Sequence, residues 1–154
     1  MVFRLTEAMA RSVLVAWILI AASVALGIYW ASDRTPPFEL LLYKTTPAKP
    51  GGTVYVEAKV HRDLSRGCSV RFTRHIFDST GRRFDLSDEQ VLDAESIEMM
   101  DKLAPGALRL AFKVPETMLP GPAKQVSALR YYCNPLHNVW PIRVLLTYDF
   151  MVLS

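Results

Sequence analysis

The run from Ser12 to Ser32, SVLVAWILIAASVALGIYWAS, carries no charged side chain, and it constrains this chain more than any other feature. About 20 apolar residues at roughly 1.5 Å each are enough to cross a hydrocarbon layer of about 30 Å as one helix. Arg4 and Arg11 stand before the run, and Asp33 and Arg34 after it. Trp17, Tyr29 and Trp30 lie towards its ends, where amphipathic rings suit the headgroup boundary. A cleaved signal peptide is the competing reading, because Ser23-Val24-Ala25 fits a small-x-small cleavage site. The apolar run continues through Tyr29 and Trp30, which favours an uncleaved anchor. The expected organisation is therefore a tail over residues 1–11 and a transmembrane helix over residues 12–32 in contact with membrane lipid. The N-terminus is expected inside the cytoplasmic membrane and the remainder outside it, which in a bacterial envelope is the periplasm. Orientation rests on Arg4 and Arg11, since a folded domain translocates largely regardless of its own charge.

Asp33-Arg34-Thr35-Pro36-Pro37 follows, and its double proline cannot continue a helix. Residues 33–37 read as a short stiff spacer, leaving residues 38–154 for one domain with its own core. The 154-residue chain is 51% apolar and 21% charged, which excludes a disordered polyelectrolyte. Its mean hydropathy of +0.16 is high for a soluble enzyme, and the N-terminal run accounts for most of it.

Beyond the spacer the hydrophobic period is two. Val54, Val56, Ala58 and Val60 alternate with polar neighbours, as a half-buried strand requires. The same alternation places Cys68, Val70, Phe72 and Ile76 on one face, with Arg74 interrupting it through a bulge or a snorkelling stem. Leu108, Leu110, Phe112 and Val114 form a third such set, and Ile142 to Val152 a fourth. Turn residues separate these runs at Pro50-Gly51-Gly52, Asp78-Ser79-Thr80-Gly81, Pro105-Gly106 and Pro120-Gly121-Pro122. The DSTG turn joins Ile76-Phe77 to Phe84 and Leu86 as a hairpin. Around seven short strands at this spacing predict a mainly β domain, an immunoglobulin-like antiparallel β-sandwich. A jelly-roll fragment and a small barrel are the alternatives. Ser87-Asp88-Glu89-Gln90 has the form of a capping box and predicts a short helix over the following residues, unless Val91 and Leu92 begin a strand.

Cys68 opens one strand and Cys133 closes another, and in an antiparallel sheet those positions face each other across neighbours. A disulfide between Cys68 and Cys133 is expected in an oxidising compartment, with two buried free thiols as the alternative. Two cysteines and scattered histidines (His61, His75, His137) lack metal-ligand spacing, so no metal is expected. Tyr131, two residues before Cys133, has the position of the tyrosine corner of immunoglobulin domains, but no tryptophan follows Cys68, and a buried structural tyrosine is the plainer reading. No nucleophile elbow, zinc-binding helix motif or phosphate loop occurs, so no catalytic residue, cofactor or enzyme activity is assigned.

Charge is more suggestive. Arg62, Arg66, Arg71, Arg74, Arg82 and Arg83 crowd one stretch, and Asp85, Asp88, Glu89, Asp93, Glu95, Glu98 and Asp101 follow it. Opposed blocks describe either a partner-docking surface or intramolecular pairing between neighbouring loops. Arg71, Arg74, Arg82 and Arg83 are candidate interaction residues, because a guanidinium recognises carboxylate or phosphate through two bonds. His137 and Trp140 join them, on a proline-rich loop expected between the last two strands; Trp140 has the alternative of packing over the core edge. The net charge of +3 and the membrane tether disfavour nucleic acid as a partner.

The Cys133-Asn134-Pro135-Leu136 stretch with Trp140-Pro141-Ile142, together with Gly67-Cys68-Ser69-Val70-Arg71-Phe72, resembles segments of uncharacterised small single-pass membrane proteins encoded by bacteriophages. The likeness covers about a fifth of the chain and has no assigned chemistry, so no functional residue is carried over. It implies a phage-encoded protein acting at the host envelope, for example in superinfection exclusion. The expected function is a non-enzymatic interaction module with an envelope protein partner, or self-association into a homo-oligomer. An accessory subunit of a larger membrane assembly is the second reading, with the apolar end of the chain, residues 148–154, adding a strand to a partner sheet. A lysis protein is the third, and an enzyme with a pocket hidden from sequence the fourth.

Overall fold

The computed structural model describes residues 2–154, with side chains from residue 11 onward except that of Ser87. Arg4, one of the two arginines before the run, therefore lies outside the described side chains. The chain divides into two units, one running to Arg34 and one from Thr35 to Ser154. The first is a single helix, α1 (Val2–Ser32). Its stretch Arg11–Ser32, with a mean hydropathy of 2.2, is long and apolar enough to cross a membrane, a test that a signal sequence also passes. The helix reaches back through the segment expected as a tail, since residues 2–11 contain no proline or glycine to stop it.

The second unit is a sandwich of two antiparallel sheets. Strands β1 (Phe38–Thr45), β2 (Thr53–Arg62) and β5 (Ala107–Lys113) form one, in the order β1-β2-β5. Strands β3 (Ser69–Phe77), β4 (Arg83–Leu92), β6 (Gly121–Tyr132) and β7 (Ile142–Val152) form the other, in the order β4-β3-β6-β7. The alternating pattern does what it should in β2: Val54, Val56, Ala58 and Val60 are buried, and the residues between them are not. Ile76 of β3, Phe112 of β5 and Tyr148 and Phe150 of β7 meet Val54 and Val56 in the main core cluster. A smaller cluster gathers Val70, Tyr131 and Ile142. Tyr131 is thus a buried core tyrosine, and its burial raises its pKa.

The hairpin between β3 and β4 is fixed by Asp78. One of its carboxylate oxygens accepts from the Thr80 and Arg82 amides at 2.9 and 3.0 Å and from the Thr80 hydroxyl at 2.7 Å, while Gly81 takes φ 84°. Those bonds, the Thr80 hydroxyl first, hold Asp78 below the usual carboxylate range. The pairing of β3 with β4 shifts register on both sides of Arg74, which is the irregularity its place on the apolar face required.

Two expectations need correction. The segment Ser87–Gln90 does not start a helix; it is the body of β4, which runs on to Leu92 with Phe72 opposite Gln90 and Val70 opposite Leu92. The helix α2 (Ala94–Leu103) begins later, capped by Asp93, whose carboxylate accepts from the Ser96 amide at 2.8 Å. Charged residues can occupy β4 because it is an edge strand, where they oppose pairing with other chains. The second correction concerns the end of β7. Ala48 forms a parallel bridge with Val152, its amide donates to the Met151 carbonyl at 3.1 Å, and its carbonyl accepts from the Leu153 amide at 2.9 Å. The edge expected to recruit a partner strand is taken by the protein's own chain.

Candidate interaction surface

Cys68 and Cys133 are joined, with Cα atoms 4.1 Å apart. They follow from register: Ser69 sits opposite Tyr132, so the residues just outside that pair face each other at the same end of β3 and β6. The bond links neighbours in one sheet. It also anchors the loop beyond Cys133, where Asn134 caps a 3-10 turn over Pro135–Asn138 by accepting from the His137 amide at 3.2 Å. His137 folds back under this turn, and its Nδ1 accepts from the Cys133 amide at 3.1 Å. With no exposed surface, His137 is not placed to meet a partner. The residues after it are: Val139 is 87% exposed and Trp140 54%.

The crowded arginines of the sequence are scattered by the fold. Arg62 is nearly buried and binds Asp101 of α2 at 2.6 Å and the Ala107 carbonyl at 2.8 Å. Arg66 donates to the Thr35 carbonyl. Arg83 reaches Asp85 at 2.7 Å, and His75 binds the same carboxylate oxygen at 2.7 Å, so Arg83 and then His75 hold Asp85 below the usual carboxylate range. Arg82 lies over the Phe84 ring at 4.9 Å from its centroid. Arg74 turns inward, bonds Gln90 at 2.8 Å, and has its pKa lowered by burial. The acidic block is thus partly neutralised within the domain, as the pairing alternative required.

Arg71 belongs to a different group. It stands opposite Arg130 of β6, and Arg130 stands opposite Arg143 of β7. All three side chains are exposed, forming a row across the outer face of the four-stranded sheet. Like charges in directly opposed positions repel, so such a row is kept at a cost in stability. Its internal relief is slight: Arg71 lies over the Tyr132 ring at 5.1 Å, and Arg130 approaches Glu89 at 3.7 Å. Arg143 makes no ion pair among the described residues. The row ends close to Val139 and Trp140, because Arg143 follows Trp140 by three positions and Arg130 precedes Cys133 by three. Arg130 and Arg143 escaped the sequence reading because they lie far from the crowded stretch. The signal that finds them is register, which aligns positions 71, 130 and 143 only once the strands are paired.

Among the described residues no group of three or more His, Cys, Asp or Glu side chains is placed to hold a metal ion. Neither a protein-family model nor a curated protein matches the chain. Among solved structures, the Pseudomonas fluorescens alkylpurine DNA glycosylase AlkC, bound to DNA containing an abasic site analogue, is similar to it at 12% identity and a TM-score of 0.36. The match covers 77% of this chain and 31% of that one, so this chain spans about a third of that protein's length. A likeness of this size says nothing about activity.

Proposed function

We propose that this chain is a non-enzymatic interaction protein held in the cytoplasmic membrane by residues 12–32, with its N-terminus inside and its β-sandwich in the periplasm. The single observation that carries the interaction role is the row Arg71, Arg130 and Arg143 on an outer sheet face. It suits a partner presenting carboxylates or phosphates, and the exposed Val139 and Trp140 beside it supply apolar contact. Bidentate recognition by a planar fork explains why this row is built of arginine rather than lysine.

The compartment rests on the disulfide, which persists outside the reducing cytosol, behind a helix apolar enough to be an anchor. The immunoglobulin-like assignment draws support from strand order. The sheets β1-β2-β5 and β4-β3-β6-β7 correspond to strands ABE and C′CFG of that plan, with strand D replaced by α2. The departure is the disulfide, which here joins strands corresponding to C and F within one sheet instead of B and F across the sandwich. The process we favour is modification of a host envelope by a bacteriophage, such as superinfection exclusion.

Crosslinking in living cells tests the reading, with a photoreactive residue placed at Trp140 of the full-length protein. A discrete adduct with one envelope protein is expected, and Arg130→Glu with Arg143→Glu should abolish it. An adduct that survives the double charge reversal, or none at all, would overturn the proposal.

A further inference from the structure

The two flanks of the sandwich differ. On the β1–β7 side it is sealed: Tyr43 and Thr45 bond Asp149 at 3.1 and 2.8 Å, and Ala48 pairs with the end of β7. On the β4–β5 side no strand closes it, and α2 spans the gap, tethered by Asp101 to Arg62. None of the α2 residues is buried. Beneath it the sheets splay around an apolar cavity of about 310 Å³, within the size range of small-molecule sites. Phe72, Leu92, Ile97, Leu110, Leu129 and Tyr131 line it. Most of these side chains are only partly buried, which is unusual for positions facing the other sheet of a sandwich.

Arg74 lines this chamber and also a second, more polar one that contains Asp85, Gln90, Lys113 and Glu116, so the two meet at its side chain. Its Nη2 is used on Gln90, and the guanidinium lies 5.4 Å from the Phe72 ring centroid. Its Nε is buried and has no hydrogen-bond partner. The carboxylates lining the two chambers are engaged elsewhere: Asp63 with Ser65, Asp85 with Arg83 and His75, Glu116 near Lys113 at 3.9 Å, and Glu98 with Lys102 at 2.7 Å. A guanidinium whose Nε is buried and lacks an acceptor, in the wall that an apolar chamber shares with a polar one, is complementary to an anionic group on an apolar chain.

We infer that this cleft binds a single acyl chain bearing an anionic head, with the chain under α2 and the head on Arg74 Nε. The head is a carboxylate or a phosphate, from a free fatty acid or from a membrane phospholipid. Residues that move for entry belong to α2, none of whose side chains is fully buried and of which Ile97 packs on the smaller core cluster.

The test uses the full-length protein in phosphatidylcholine nanodiscs, with empty nanodiscs as the reference, and titrates dodecanoate, dodecanol and lysophosphatidylglycerol. Dodecanoate or lysophosphatidylglycerol is expected to bind at least about tenfold more tightly than dodecanol, the strength of a charge-assisted bond in a dry site. Arg74→Gln should remove that preference, bringing both anions to the affinity of dodecanol for the same variant. Leu108→Trp, on the edge strand β5 and lining the same cavity, should exclude all three ligands without touching the Arg74 hydrogen bonds. The tighter of the two anions identifies the source of the head. Equal binding of dodecanoate, lysophosphatidylglycerol and dodecanol, a preference that survives Arg74→Gln, or no saturable binding would overturn the inference.

Discussion

A histidine without exposed surface and an arginine turned inward show how far a side chain's role depends on its register. His137 accepts the Cys133 amide and fills the space beneath its own turn. Replacing it by alanine strands that amide and leaves a void, so His137→Ala should lower stability by about 2–4 kcal/mol in urea unfolding. Trp140→Ala, on a half-exposed residue of the same loop, should change it by less than about 1 kcal/mol and act on the partner adduct instead. Tyr148 is fully buried, its hydroxyl has no partner, and burial followed by the neighbouring Tyr43 pushes its pKa up to about 12. A raised tyrosine pKa contributes stability that is complete below the ordinary value of 10.0 and is lost as pH rises towards 12. Alkaline unfolding should therefore begin above pH 10, and Tyr148→Phe should flatten that limb of the pH–stability curve. An unchanged limb would show that this hydroxyl does not titrate with unfolding.

At the scale of elements, α2 has no fully buried side chain. Its tether is Asp101, which the Arg62 guanidinium holds below the usual carboxylate value of 3.8. A lowered carboxylate pKa contributes stability that is present above 3.8 and disappears as pH falls through the folded-state value. Hydrogen exchange in α2 should accelerate below pH 3.8 before it does in β2 or β6. Asp101→Asn should produce the same loosening at neutral pH, at a cost of about 1–3 kcal/mol. The strands were legible in sequence where burial alternates cleanly, as in β2 and β7. β1 was not, because its register shift between Leu40 and Leu42 leaves Leu41 and Leu42 both exposed and destroys the period of two. The helix lies within the stretch expected for it but starts later than the cap-like segment at Ser87–Gln90 suggests, for a local reason. Two cap-like segments lie in tandem, and pairing with β3 claims the first before it can begin a helix. Of the proposed interaction surface, Arg71 and Trp140 are legible in sequence, whereas Arg130 and Arg143 are brought to Arg71 by strand pairing that no local pattern encodes.

For the molecule as a whole, the disulfide ties together β3 and β6, the two central strands of the larger sheet. It closes a loop with a sequence separation of 65, for which chain entropy alone gives a stabilisation of about 4 kcal/mol. Reduction should lower the urea midpoint accordingly and release the loop that carries Val139 and Trp140. Folding on the oxidising side of a membrane requires the two cysteines to stay joined in the cell. Acid-quenched thiol trapping of the full-length protein in intact cells measures it directly. Cys68 and Cys133 should resist alkylation until a reductant is added and then react together. Free alkylation of both cysteines without reductant would place the domain in a reducing compartment and contradict it.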